Sequence, residues 1–148
     1  MANAGLIGAK GETMVHRFNL RVYYEDTDLA GIVYYANYLK FIERGRSEWV
    51  RGLGIDQVAL RRDAGIVFAV RRVEADYLRA AVFDDVLEVR TQLRAVTGAR
   101  MVLVQSVWRG AEMLFEAEVV LVCLTAQGRL TRLPGDVRAA LVAISSAL

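Results

Sequence analysis

The chain is poor in the residues on which whole classes of chemistry depend. Its 148 residues hold one cysteine, Cys123, and one histidine, His16. A lone cysteine excludes an intrachain disulfide and a cysteine-based zinc centre. A lone histidine excludes a His–His metal pair and leaves a serine triad one candidate base, with no nucleophile-elbow motif near it. Cys123 lies in an apolar run and reads as a small core residue. His16 reads as an exposed residue at a strand start. There is one proline, Pro134, and no Ser/Gly/Pro-rich stretch to separate domains. No apolar run reaches transmembrane length, so membrane insertion is not expected, and no internal repeat is visible.

A dominant charge is missing too. The 19 basic and 17 acidic side chains leave a net charge of +2. The arginines are scattered among acidic residues, so nucleic acid is not an expected partner. Only Lys10 and Lys40 are lysines; the other 17 basic residues are arginines. Arginine's planar fork suits phosphate and carboxylate, but a base composition favouring Arg codons gives the same bias and is the simpler reading. From Met1 to Met14 there are glycines, Lys10 and Glu12 without a continuous apolar core, unlike a secretory signal. Residues 1–15 are expected to form a flexible tail, with Met14 as an alternative start. A single domain at 16–148 of a cytoplasmic protein should follow.

Apolar residues make up 55% of the chain and its mean hydropathy is +0.28. That supports a sizeable core, with some surface left for a partner subunit. Phe18–Tyr23 alternates as a first strand. Tyr38, Phe41, Ile42, Trp49, Val50 and Leu53 then recur at helical spacing, predicting a helix from about Tyr35 to Arg51 that stops at Gly52 or Gly54. Gly45 inside it costs roughly 1 kcal/mol of propensity, which a close approach to a sheet would explain. Glu43, Arg44, Arg46 and Glu48 read as its solvated, ion-paired face.

A short helical turn is expected at 56–62, then long strands at 67–77, 87–95, 101–108 and 113–124, with turns at Gly98 and Gly110. Val119–Leu124 barely alternates, as in a strand covered on both faces. Gln127-Gly128 marks a turn, and residues 136–148 can form a last helix. Short connections predict a curled antiparallel sheet around one long helix, an α+β architecture.

The densest chemistry stands just ahead of that helix, in Tyr23-Tyr24-Glu25-Asp26-Thr27-Asp28-Leu29-Ala30-Gly31-Ile32-Val33-Tyr34-Tyr35-Ala36-Asn37-Tyr38. Three carboxylates and a glycine precede a helix end, where backbone N–H groups are unpaired and a partial positive charge collects. A carboxylate beside such an end can act as base or nucleophile next to a place that stabilises an oxyanion. Asp28 is the candidate; it can equally be an Asx-turn residue. Asp26 reads as structural, bonding loop amides, on the view that alternation along an extended strand turns neighbouring carboxylates to opposite sides. Gly31 supplies positive φ or a close backbone approach. Asn37 is a helix-start bond former or a pocket residue. Tyr38 reads as core.

The run Asp26–Tyr38, followed by Phe41-Ile42-Glu43-Arg44-Gly45-Arg46-Ser47-Glu48, resembles the signature of the 4-hydroxybenzoyl-CoA thioesterase family, and within it the Tol–Pal-associated acyl-CoA thioesterases. The resemblance implies a hotdog fold, assembly as homodimers or homotetramers, and a subunit-interface site that hydrolyses acyl-CoA. It implies Asp28 as the catalytic aspartate and the Tyr35 amide as the group that polarises the thioester carbonyl. Gly31, Ile32, Val33, Tyr34 and Asn37 would line the substrate opening, and Arg129 and Arg132 are candidates for CoA phosphates. Members of the Tol–Pal branch usually carry histidine where this chain has Tyr35, while Glu43-Arg44-x-Arg46 follows that branch, so the acyl group stays open.

No metal or separate cofactor is implied, since CoA belongs to the substrate. Acyl carrier protein is a further possible partner. The alternatives are a non-catalytic binding module for acyl-CoA or acyl carrier protein, and a hotdog enoyl-thioester hydratase, which would need a histidine paired with the aspartate.

Overall fold

A computed structural model describes Leu6–Ile7 and residues 14–145. Strands β1 (Leu6–Ile7) and β2 (Val15–Arg21) come first, then a single 3₁₀ turn at Tyr24–Asp26 and the long helix α1 (Asn37–Gly52). A short α2 (Gln57–Ala59) runs into a wider turn at Leu60–Ala64. There follow β3 (Ile66–Tyr77), β4 (Val86–Val96), β5 (Arg100–Arg109), β6 (Glu112–Thr125), β7 (Leu130–Thr131) and α3 (Gly135–Ser145). All pairings are antiparallel, in the order β1-β2-β4-β5-β6-β3, with β7 also on β6. One long helix in a curled antiparallel sheet is the expected α+β hotdog architecture. The expected tail, residues 1–15, lies largely outside the described residues; of its described members, Leu6 and Ile7 pair with His16 and Val15, and Val15 already belongs to β2. Among the described residues no helix is long and apolar enough to cross a membrane.

The helix is held by its apolar face. Tyr38, Phe41, Ile42, Trp49 and Val50 are buried against Leu87, Val89, Leu103, Phe115 and Leu121 of the sheet. Each such side chain contributes about 1.5–3 kcal/mol. Gly45 marks the closest approach: a Cβ there would stand 2.4 Å from Val89 Cγ1. No larger residue fits without moving the strand. The helix ends past Gly52, where Gly54, at φ +83°, sends its N–H to Arg51 O at 3.0 Å.

Four local expectations are corrected. The helix begins at Asn37, two residues later than predicted: Tyr35 and Ala36 form a tighter entry turn with i→i−3 bonds, Ala36 being an N-cap of helical φ/ψ without a side-chain cap. His16 is buried, at 1% exposure, where an exposed strand start was predicted; it pairs with Thr91 inside the sheet, and β1 covers its other side. Arg46 leaves the solvated face and donates to Gln105 Oε1 at 2.9 Å, while Gln105 Nε2 donates to Ile42 O and Thr91 Oγ1, both at 2.9 Å. A buried amide on β5 thus draws a helix arginine inward. The strand predicted through Tyr23 ends at Arg21, and the 3₁₀ turn replaces the assumed alternation at Glu25 and Asp26.

Strand β3 is an edge. Its alternation slips at a bulge between Val70 and Arg72, and Val70, Val73 and Tyr77 are exposed. In β6, by contrast, Val119 to Cys123 are all buried, as expected of a strand with neighbours on both sides.

Candidate active site

The loop ahead of α1 folds back on itself. Thr27 bridges Val33, the Asp28 N–H donates to Ile32 O at 2.9 Å, and the Gly31 N–H donates to Asp28 O at 2.9 Å. Gly31 permits the reversal, with φ +83° and open space where a Cβ would stand. The Val33 N–H donates to Ala81 O and the Tyr34 N–H to Asp26 O, both at 2.9 Å. These bonds tie the loop to the segment between β3 and β4.

Its three carboxylates have different fates. Asp26 is buried: Oδ2 accepts the Tyr23 N–H at 2.8 Å, and its carbonyl accepts Asn37 Nδ2 at 2.9 Å. Asp26 is therefore structural, and Asn37, also buried, is a helix-start bond former. Glu25 is exposed on the 3₁₀ turn. Asp28 is exposed too, and its Oδ1 accepts the Ala30 N–H at 2.9 Å, an Asx turn that leaves Oδ2 without a partner among the described residues. The turn fixes the carboxylate's orientation and keeps one oxygen available.

The helix entry has spare donors. The Asn37 N–H donates to Tyr34 O at 2.8 Å, and those of Tyr38 and Leu39 donate to Tyr35 O and Ala36 O. The N–H groups of Tyr35 and Ala36 meet no acceptor among the described residues. Those of Val33 and Tyr34 are already engaged, which leaves the expected Tyr35 amide and its neighbour as donors. No acidic residue stands in the first turn of α1 to offset the positive end of the dipole. A cleft of about 570 Å³ among Ser47, Arg51, Ile55 and Gln57 opens at the other end of α1, where the dipole is negative and disfavours an anion.

Leu29, Ile32, Tyr34 and Tyr35 surround Asp28 in sequence and are all exposed. Arg129 and Arg132 are exposed but stand at the far end of the sheet. Tyr77, beside the site, pairs with Phe115, while Thr131 pairs with Cys123; that length of β6 spans about 27 Å. One protomer therefore does not bring these arginines to Asp28. His16 is also remote from the loop; burial lowers its pKa, and Glu48 acts in the opposite sense. Among the described residues no group of three or more His, Cys, Asp or Glu side chains could hold a metal.

Sequence reasoning missed Ala36 as a donor, and it missed Ala81 and Tyr77. Ala81 anchors Val33 through its carbonyl and receives support from Tyr38, whose hydroxyl accepts the Ala81 N–H at 3.0 Å. Tyr77 donates its hydroxyl to Tyr35 O at 3.0 Å. Both contacts join residues more than forty positions apart, so no local pattern signals them.

Known proteins resemble this chain in sequence and fold. Residues 22–141 match the family described as the Thioesterase-like superfamily. The chain is 42% identical over 107 residues to the acyl-CoA thioesterase YbgC of Haemophilus influenzae, covering 72% of this chain and 79% of that protein. A probable thioesterase from Bartonella henselae superposes with a TM-score of 0.77 at 38% identity, over 81% of this chain and 99% of that one. A mutant 4-hydroxybenzoyl CoA thioesterase complexed with 4-hydroxybenzoyl CoA shares the fold, with a TM-score of 0.79 at 21% identity over 85% and 97%. By the extent of its match over the loop, the helix and the sheet, the chain belongs to the Thioesterase-like superfamily.

Proposed function

We propose that the protein hydrolyses an acyl-CoA thioester to a free carboxylic acid and CoA, with Asp28 as base or nucleophile and the Tyr35 amide as oxyanion donor. The observation that carries this reading is one loop holding both a half-engaged carboxylate and an unengaged amide at a helix's positive end. The chemistry is undemanding on the leaving side, since a thiol of pKa about 8.5 departs as thiolate with little acid assistance. Asp28 either attacks the carbonyl carbon, expelling CoA thiolate and leaving a mixed anhydride for water, or removes a proton from an attacking water. The name of the Haemophilus relative supports the acyl-CoA substrate.

The same reading makes the working unit at least a homodimer in the cytoplasm. Asp28 is exposed on a loop that also exposes Leu29, Ile32, Tyr34 and Tyr35, apolar side chains that a second copy would cover, and β3 has no strand on its outer edge among the described residues. Ile32 and Tyr34, with Gly31, then form the wall on the Asp28 side, while Arg129 and Arg132 reach CoA phosphates only from another protomer. The hydratase alternative lacks its histidine, because His16 is enclosed in the sheet.

The test is release of free thiol from short-chain, long-chain and aromatic acyl-CoAs by the wild type and by Asp28→Asn. Cys123 does not disturb the readout, since burial pushes its thiol up to about 11. Turnover that falls about 10²–10⁴-fold in the variant supports the assignment; wild-type rates in the variant remove Asp28 from it. Tight calorimetric binding without turnover of any thioester makes the protein a binding module.

A further inference from the structure

We infer that Tyr77 is a positioning residue for the oxyanion site: from the last position of edge strand β3, its hydroxyl pins the Tyr35–Ala36 peptide, presenting two unengaged N–H groups as a fixed pair. The inference rests on the hydrolase reading above and adds a residue that the loop itself does not contain.

Two consecutive peptide units carry the two free donors. The Tyr35 N–H belongs to the unit whose carbonyl is Tyr34 O, and that oxygen is held by the Asn37 N–H at 2.8 Å. The Ala36 N–H belongs to the unit whose carbonyl is Tyr35 O. Within the backbone this second oxygen has only the Tyr38 N–H at 3.4 Å, longer than an ordinary N–H···O bond. The Tyr77 hydroxyl supplies the short contact, at 3.0 Å. A donor on a carbonyl both fixes the peptide plane and strengthens the N–H across the same unit. Donors fixed in advance need no reorganisation as charge develops on the thioester oxygen.

The phenol is itself held in place. Its ring stands edge-on to Tyr35, Tyr38 and Phe115, with centroids 6.0, 5.5 and 5.0 Å away. Tyr38 stacks on Phe115 at 5.2 Å, and both are buried in the core. The hydroxyl's target is thus set by packed rings in the core, although Tyr77 is itself partly exposed. Burial, with Tyr35 and Tyr38 nearby, raises the Tyr77 pKa, so the group stays a protonated donor at neutral pH.

Tyr77→Phe keeps the ring and deletes only the donor. In the full chain, kcat should fall about three- to tenfold, the effect of one neutral hydrogen bond, with KM unchanged. The melting temperature should stay within about 4 °C, and the Ala36 amide proton of the free protein should move upfield as its polarisation is lost. An unchanged kcat, a rise in KM alone, or an unmoved Ala36 resonance overturns the inference. Failure of the wild type to hydrolyse any acyl-CoA is a separate result: it removes the hydrolase reading and this inference with it.

Discussion

The middle of α1 and the loop that leads into it are built from similar residues and use them in opposite ways. In the middle, Gly45 lies against Val89, and Arg46, Gln105 and Thr91 engage one another and a helix carbonyl. In the loop, one carboxylate is used up inside the structure while its neighbour two positions on stands outside, half engaged. At the helix entry the Tyr35 and Ala36 amides stay without acceptors among the described residues. Polar groups in a seam between helix and sheet are out of reach of water, so Arg46, Gln105 and Thr91 satisfy one another there, while Trp49 Nε1 has no partner among the described residues. Those on the loop keep capacity that a substrate can use.

The contrast is sharpest between Asp28 and Asp26. Loss of the Asp28 carboxylate should abolish most turnover yet move stability by less than about 0.5 kcal/mol, as befits an exposed side chain. Asp26→Ala should act the other way, costing about 1–3 kcal/mol in urea denaturation by stripping the Tyr23 N–H of its acceptor. Equal stability losses in the two variants would erase the distinction between the carboxylates.

Gly45→Ala probes the seam. Helix propensity alone predicts a gain of nearly 1 kcal/mol, but the new methyl meets Val89, and the net outcome should be a loss of about 1–3 kcal/mol. Val89→Ala in the same chain should recover part of it, a coupling that a double-mutant cycle reads directly. A stabilised single variant would mean that helix and strand are not in contact there.

The smallest effect concerns His16. Its folded pKa lies below its unfolded value because burial disfavours the charged ring. Between the two values the unfolded chain binds the proton and the folded chain does not. Stability is therefore full above the unfolded value of about 6.5 and is lost as pH falls through the lowered folded one. Replacing His16 with Gln should flatten denaturation midpoints across that window. A slope that persists unchanged would locate the acid sensitivity in other groups.

Much of this was legible in the chain. Membership of the thioesterase family followed from Tyr23–Glu48, and the element order followed from periodicity and glycine placement. Gly45 announced a close approach because a helix interior tolerates glycine poorly without a packing reason. Asp26 was read as a structural residue bonding loop amides, and it does accept the Tyr23 N–H, although a 3₁₀ turn rather than strand alternation places it. Arg46 was misread because its neighbours on the helix are charged, and the amide that turns it inward sits on β5, 59 residues later. His16 was misread because a strand's first polar residue says nothing about what a second strand will cover.

Local order is written in short-range terms that a sequence displays: apolar spacing, turn glycines, and carboxylates placed ahead of a helix. From these came the helix, the strands and Asp28 as a candidate group, whereas the family came from the resemblance of Asp26–Tyr38 and Phe41–Glu48 to a known signature. Only tertiary structure decided which loop amides are spent and which remain, because Ala81 and Asp26 accept two of them and nothing among the described residues accepts the next pair. It also decided that Tyr77 reaches the Tyr35 carbonyl and that Arg129 and Arg132 end up at the opposite end of the sheet. Those outcomes depend on strand register, which sums many weak contacts between distant residues, and no stretch of the chain encodes that sum by itself.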